Sequence, residues 1–106
     1  MIVETAGHLL VETKESGDAF LRDARALAGT GRDVTLLLIQ DAAGAALRSR
    51  AAIARLTDAG VRVLIDDFSL RQHAVRAADL PTGLRIVDAD DIADLLLTPG
   101  VKVVWH

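Results

Sequence analysis

Apolar and polar positions along the chain fall into two alternating patterns. Short runs that are apolar without a break read as buried strands, and stretches with apolar residues every three or four positions read as helices. His8–Thr13 is the first predicted strand, followed by turn chemistry at Ser16-Gly17-Asp18. Phe20, Leu21, Ala24, Leu27 and Ala28 then recur at helical spacing until Gly29 and Gly31 stop them. Val34–Ile39 shows no alternation, which predicts a strand covered on both faces. A helix is predicted over Ala42–Ala59 with Leu47, Ile53, Ala54 and Leu56 on its apolar side and Gly60 as its stop. Arg48, Ser49 and Arg50 interrupt that pattern and leave its first part open to a loop reading. Val61–Ile65 is the third strand, Ser69–Ala77 a short helix, Leu84–Val87 the fourth strand, Asp88–Leu97 a helix and Val101–Trp105 a closing strand.

Strand followed by helix, repeated, implies right-handed crossovers and a parallel sheet between helical layers. The fold class predicted is α/β, a three-layer α/β/α arrangement with a parallel sheet of about five strands. The 106 residues suit a single domain spanning 1–106.

Composition narrows the functions open to such a domain. With 51% hydrophobic and 25% charged residues the chain can build a core, which excludes a disordered protein. The 12 basic residues are scattered against 15 acidic ones, so no basic stripe is available and direct nucleic-acid binding is not expected. The absence of cysteine removes disulfides, thiolate metal sites and persulfide chemistry. No stretch approaches the ~18 consecutive apolar residues of a membrane span. Met1-Ile2-Val3-Glu4 lacks the basic flank and apolar core of a signal peptide, so a cytoplasmic protein without membrane contact is expected.

In parallel sheets, ligands gather beyond the carboxyl ends of the strands, which directs attention to Gln40-Asp41, Asp66–Ser69, Asp88–Asp91 and the loop 12–18. Asp41 suits a helix cap or a ligand-binding carboxylate. Asp66 and Asp67 are adjacent, so in extended backbone they diverge and are poorly placed to share a metal; no metal and no cofactor are expected. Asp88, Asp90 and Asp91 sit where helix capping and the helix dipole favour negative charge, and they receive no catalytic role. His8 opens a strand and His106 ends the chain, leaving His73 as the candidate general base, with Asp66 or Asp67 as its orienting partner. Ser69 stands one turn before His73, where capping the helix is its simpler role. The candidate pocket or interface is therefore Gln40, Asp41, Asp66, Asp67, Ser69 and His73, with no catalytic residue assigned.

Three stretches, taken in order, resemble the DsrE/DsrF/DsrH family of small sulfur-relay proteins, and look most like its DsrH/TusB branch. They are Leu36–Asp41, an apolar strand ending in Gln-Asp; Val63–Asp67 with Ser69–Ala74, a strand, an acidic turn and a helix; and Ile86-Val87-Asp88 with Ile92–Leu95 and Trp105. The family's Gly-Val after the aspartate is Ala42-Ala43 here, its Arg-Gly pair is His73-Ala74, and its aromatic after Asp88 is Ala89. Members that carry sulfur use a cysteine in the first helix or in the loop after the third strand. This chain has none. The resemblance thus implies a non-catalytic, cysteine-free subunit of a homo- or hetero-oligomer with DsrE/DsrF (TusD/TusC)-like partners, serving 2-thiolation of the tRNA wobble uridine. Its interface is expected on the helix after Ala42 and on 66–77. The rival reading is a small-ligand-binding protein or minor enzyme using a strand-end pocket around Gln40, Asp41, Asp66 and His73.

Overall fold

The computed structural model describes residues 8–12, 19–48 and 50–105. Five strands, β1 (His8–Glu12), β2 (Val34–Leu38), β3 (Arg62–Asp66), β4 (Leu84–Val87) and β5 (Lys102–Trp105), form one sheet in the order β4-β3-β2-β1-β5. All pairings are parallel. The helices are α1 (Ala19–Ala28), α2 (Gln40–Gly44), α3 (Arg50–Asp58), α4 (Asp67–Gln72) and α5 (Ala89–Leu97), with a one-turn 3-10 helix at Ala77–Asp79. The predicted α/β sheet of five parallel strands is the fold observed. Among the described residues no helix is long and apolar enough to cross a membrane.

Side chains alternate between the two faces of a strand, so the register sorts them into rows. Leu10, Leu36, Val63 and Leu84 lie side by side in one row, and Val11, Leu37, Leu64 and Arg85 in the next. The first row faces a thick layer in which Ala24, Ala42, Ala43, Ala46, Ile53, Leu56 and Leu70 close the core. The second row faces α5, where Val11, Leu37, Leu64 and Val87 pack against half-buried Ile92 and Leu95. Burying one such Leu or Ile side chain fully is worth about 1.5–3 kcal/mol, so most of the stability resides on the thick face. Within β3 the first residue departs from the expected buried run. Arg62 is exposed and forks onto both Asp33 carboxylate oxygens at 3.1 Å, while its Nε donates to Thr35 Oγ1 at 3.1 Å.

Helix boundaries differ most from the sequence pattern. The predicted helix over Ala42–Ala59 is two helices separated by a turn through 45–48, as the interruption at Arg48 foreshadowed. Its alanines 42, 43, 45 and 46 are all buried, and their small side chains let this turn sit close against the sheet and α4. Helix α4 starts at Asp67, two residues before the predicted start, because Asp66 rather than Ser69 is its cap. It ends at Gln72, short of the predicted Ala77, because Ala74 turns to φ +54° and reverses the chain. At α5 the expected acidic cap is present as a reciprocal pair: Asp91 N–H donates to Asp88 Oδ1 at 2.9 Å and Asp88 N–H to Asp91 Oδ2 at 3.1 Å.

Candidate functional site

Strands β2 and β3 end side by side, with Leu38 paired to Ile65, so Gln40 and Asp66 emerge at the same edge of the sheet. Asp66 is the last residue of β3, with extended backbone, and its side chain caps α4. Its Oδ2 accepts both the Ser69 N–H at 3.1 Å and the Ser69 Oγ–H at 2.7 Å. The Ser69 Oγ in turn accepts the Gln40 N–H at 2.8 Å. Ser69 is 2% exposed, so its hydroxyl is a buried bridge between two strand ends. Such a group loses about 1–3 kcal/mol if its partner is left unpaired. The bridge also holds Gln40 at φ +54°, a region that non-glycine residues enter only when surroundings dictate it.

Beside this bridge opens a cleft of about 360 Å³. Its floor is Leu37 and Ile39, and α5 contributes Ala89, Ile92 and Leu96 as one wall. Phe68 and Gln72, one turn apart on α4, form the other, and Gln40, Asp66 and Ser69 supply the remaining polar rim. The volume sits at the lower end of the range of small-molecule pockets.

Asp41 and His73 lie outside the cleft. Helix α2 begins at Gln40 after Ile39, which gives no side-chain cap, so Asp41 does not cap it. Its carboxylate is 77% exposed and stands 3.6 Å from His73 Nε2. The carboxylate nearest His73 is thus Asp41, not Asp66, which serves Ser69, nor Asp67, which pairs with Arg71 at 3.4 Å. The imidazole rests on Gly44: a Cβ at that position would lie 2.6 Å from His73 Nδ1 and 2.8 Å from Cγ. The six predicted residues therefore divide into a cleft group (Gln40, Asp66, Ser69), an outer pair (Asp41, His73) and a surface ion pair containing Asp67. Ser69 and His73 show no catalytic link, because the serine hydroxyl is committed to Asp66. The loop 13–18 and the end of the predicted first strand at Thr13 lie outside the described residues.

Sequence reasoning passed over Phe68, Gln72, Ile92 and Leu96. Phe68 carried a signal, being an aromatic at a strand end in a chain with 3% aromatic content, and Gln72 stands four residues on, over the same helix face. Ile92 and Leu96 of α5 carried none, since only the tertiary fold brings them to this edge.

No family model matches the chain, and no curated protein matches it. Solved structures do, the following two among them. The ychN protein from E. coli superposes with a TM-score of 0.76 at 20% identity, over 94% of this chain and 100% of its own. MTH1491 from Methanobacterium thermoautotrophicum, described as a protein of unknown function, gives 0.73 at 16% identity, over 94% and 99%. The chain has the DsrE/DsrF-like fold. The turn after the third strand is the Asp66–Ser69 bridge beside the cleft. The Arg-Gly pair of the resemblance falls on His73-Ala74, where the left-handed backbone of Ala74 is a conformation suited to glycine.

Proposed function

We propose that the chain is a non-catalytic, cysteine-free subunit of a sulfur-relay oligomer of the DsrEFH or TusBCD kind. It acts by contact with DsrE/DsrF-like partners, in an assembly whose terminal sulfur acceptor is the tRNA wobble uridine. The observation that carries the reading is the turn after β3. Where sulfur carriers of the resembled family place a cysteine, this chain has a carboxylate and a buried serine bonded to each other at 2.7 Å. A relay step needs a free thiolate nucleophile, and this turn offers a locked hydroxyl.

Exposed apolar side chains supply contact surface. Leu47 and Phe68 fall in the stretches where the interface was expected, whereas Ile86, Leu96, Leu97 and Val104 extend it to β4, α5 and β5. Leu97 is 80% exposed and Phe68 59%, apolar area that a partner would remove from water.

Native mass spectrometry after co-expression with DsrE- and DsrF-like subunits tests the reading. The expected result is a complex of fixed stoichiometry, in which a persulfide donor adds mass to the partners and none to this chain. A protein that stays at 11.3 kDa alone and retains no partner overturns it, as does sulfur bound covalently to this chain.

A further inference from the structure

The cleft between α4 and α5 has a chemistry that a bare contact surface does not require. Among the described residues, Asp66 is the sole charged one lining it, and no lysine or arginine does so. Only one oxygen of that carboxylate is engaged: Oδ2 takes both bonds from Ser69, while Oδ1 has no hydrogen-bond partner among the described residues. Helix α5 forms one wall through Ala89, Ile92 and Leu96, while its Asp91 and Asp94 line a separate hollow with Arg85. Arg71, the cation on α4, is paired with Asp67. Apart from Gln40, Ser69 and Gln72, the remaining lining is apolar and includes the exposed ring of Phe68. A spare carboxylate oxygen, an aromatic face and apolar walls together favour a positive charge on an apolar body.

We propose that this cleft is a binding site for a small organic cation with a flat or apolar body, of the amidine, guanidine or arylalkylamine class. The cationic nitrogens donate to Asp66 Oδ1, the body lies against Phe68 and over Leu37 and Ile92, and the amides of Gln40 and Gln72 serve the polar edge. An anion finds no cation among the described lining residues, and a neutral apolar molecule leaves the carboxylate unpaired on burial. The available 360 Å³ suits one ring with a short tail. The site requires no partner subunit, so it is separable from the relay reading.

Benzamidine and its neutral isostere benzamide, titrated into the full chain and followed by amide chemical shifts, provide the test. Benzamidine is expected to saturate, moving the Gln40, Ser69 and Ile92 resonances, and to bind at least tenfold more tightly than benzamide. Asp66→Asn keeps a capping side chain and should erase the difference between the two probes. Phe68→Ala removes an exposed ring without touching the core and should weaken benzamidine several-fold. Equal binding of the two probes, a preference that survives Asp66→Asn, or no saturation by benzamidine overturns the proposal, whatever the oligomeric state.

Discussion

The two faces of the sheet are covered unequally. On the thick face, four helices pack over Leu10, Leu36, Val63 and Ile65, all at most 4% exposed. On the thin face a single nine-residue helix covers Leu37 and Leu64, and the cleft opens beside it. The cause is connectivity. Right-handed crossovers carrying the chain steadily from β1 to β4 must place their helices on one side, whereas the return from β4 to β5 passes over the other. One face therefore supplies stability, and the other is left with room for ligand and partner.

Charge substitutions on neighbouring residues of β2 should break the symmetry most visibly. Leu36 and Leu37 are 0% and 1% exposed and point to opposite faces. Leu36→Asp places a carboxylate under the four-helix layer with no partner, at a cost of several kcal/mol, comparable to the stability of a domain this small. Loss of the cooperative urea transition is the expected outcome. Leu37→Asp also costs several kcal/mol, but Leu37 floors the cleft, where water reaches the new charge, so its urea midpoint should lie above that of Leu36→Asp. Equal damage from the two would show that the thin face is as closed as the thick one.

How far the sequence foretold this division differs by level. Strands were legible because a segment buried on both faces has to be apolar throughout, as Val34–Leu38 is. Helix ends were less so, because they depend on single side-chain bonds such as Asp66 to Ser69, and a serine at a helix start looks like a cap whether it accepts or donates. Of the site, Gln40, Asp66 and Ser69 were legible from strand-end position alone. The pairing of His73 with Asp41 was not, since it depends on α2 and α4 packing side by side. Which helices share a face was hidden too, because it follows from strand order, and local periodicity is silent about strand order.

Tightness on the thick face can be measured where α2 meets α4. An added Cβ at Gly44 would stand 2.6 Å from His73 Nδ1, 2.8 Å from Cγ and 3.1 Å from Cε1, so the whole ring must move. Gly44→Ala should cost about 1–2 kcal/mol, the overpacking penalty less the helix propensity gained. In a His73→Ala background the same change should be neutral or stabilising by up to ~1 kcal/mol. Urea unfolding of the four proteins in a double-mutant cycle gives the coupling. A coupling near zero would mean that the imidazole swings aside freely, and that α2 and α4 are less closely packed than the thin face's contrast requires.

The smallest effect comes from two chain reversals on this same face. After α3, Gly60 stands at φ +89°, its N–H donates to Thr57 O at 3.0 Å, and Val61 N–H returns to Leu56 O at 3.0 Å. After α4 the same pair of bonds recurs, from Ala74 N–H to Arg71 O at 3.2 Å and from Val75 N–H to Leu70 O at 3.0 Å, with Ala74 at φ +54°. Both are Schellman closures, in which the left-handed residue is usually glycine because any Cβ crowds the backbone there. One helix thus ends on the residue that suits the motif and the other on a residue that does not, though both return an apolar side chain, Val61 or Val75, to the thick core. Ala74→Gly should relieve the left-handed strain, worth about 1–2 kcal/mol. The greater freedom of glycine in the unfolded chain returns about 0.4–1 kcal/mol of that, so a net gain of up to ~1 kcal/mol is expected. The reverse change, Gly60→Ala, should lose a similar amount. Thermal unfolding of the two variants decides it. If both substitutions destabilise, the turn after α4 is held by the His73 contact with α2 rather than by its own backbone, and the two reversals are alike only in their hydrogen bonds.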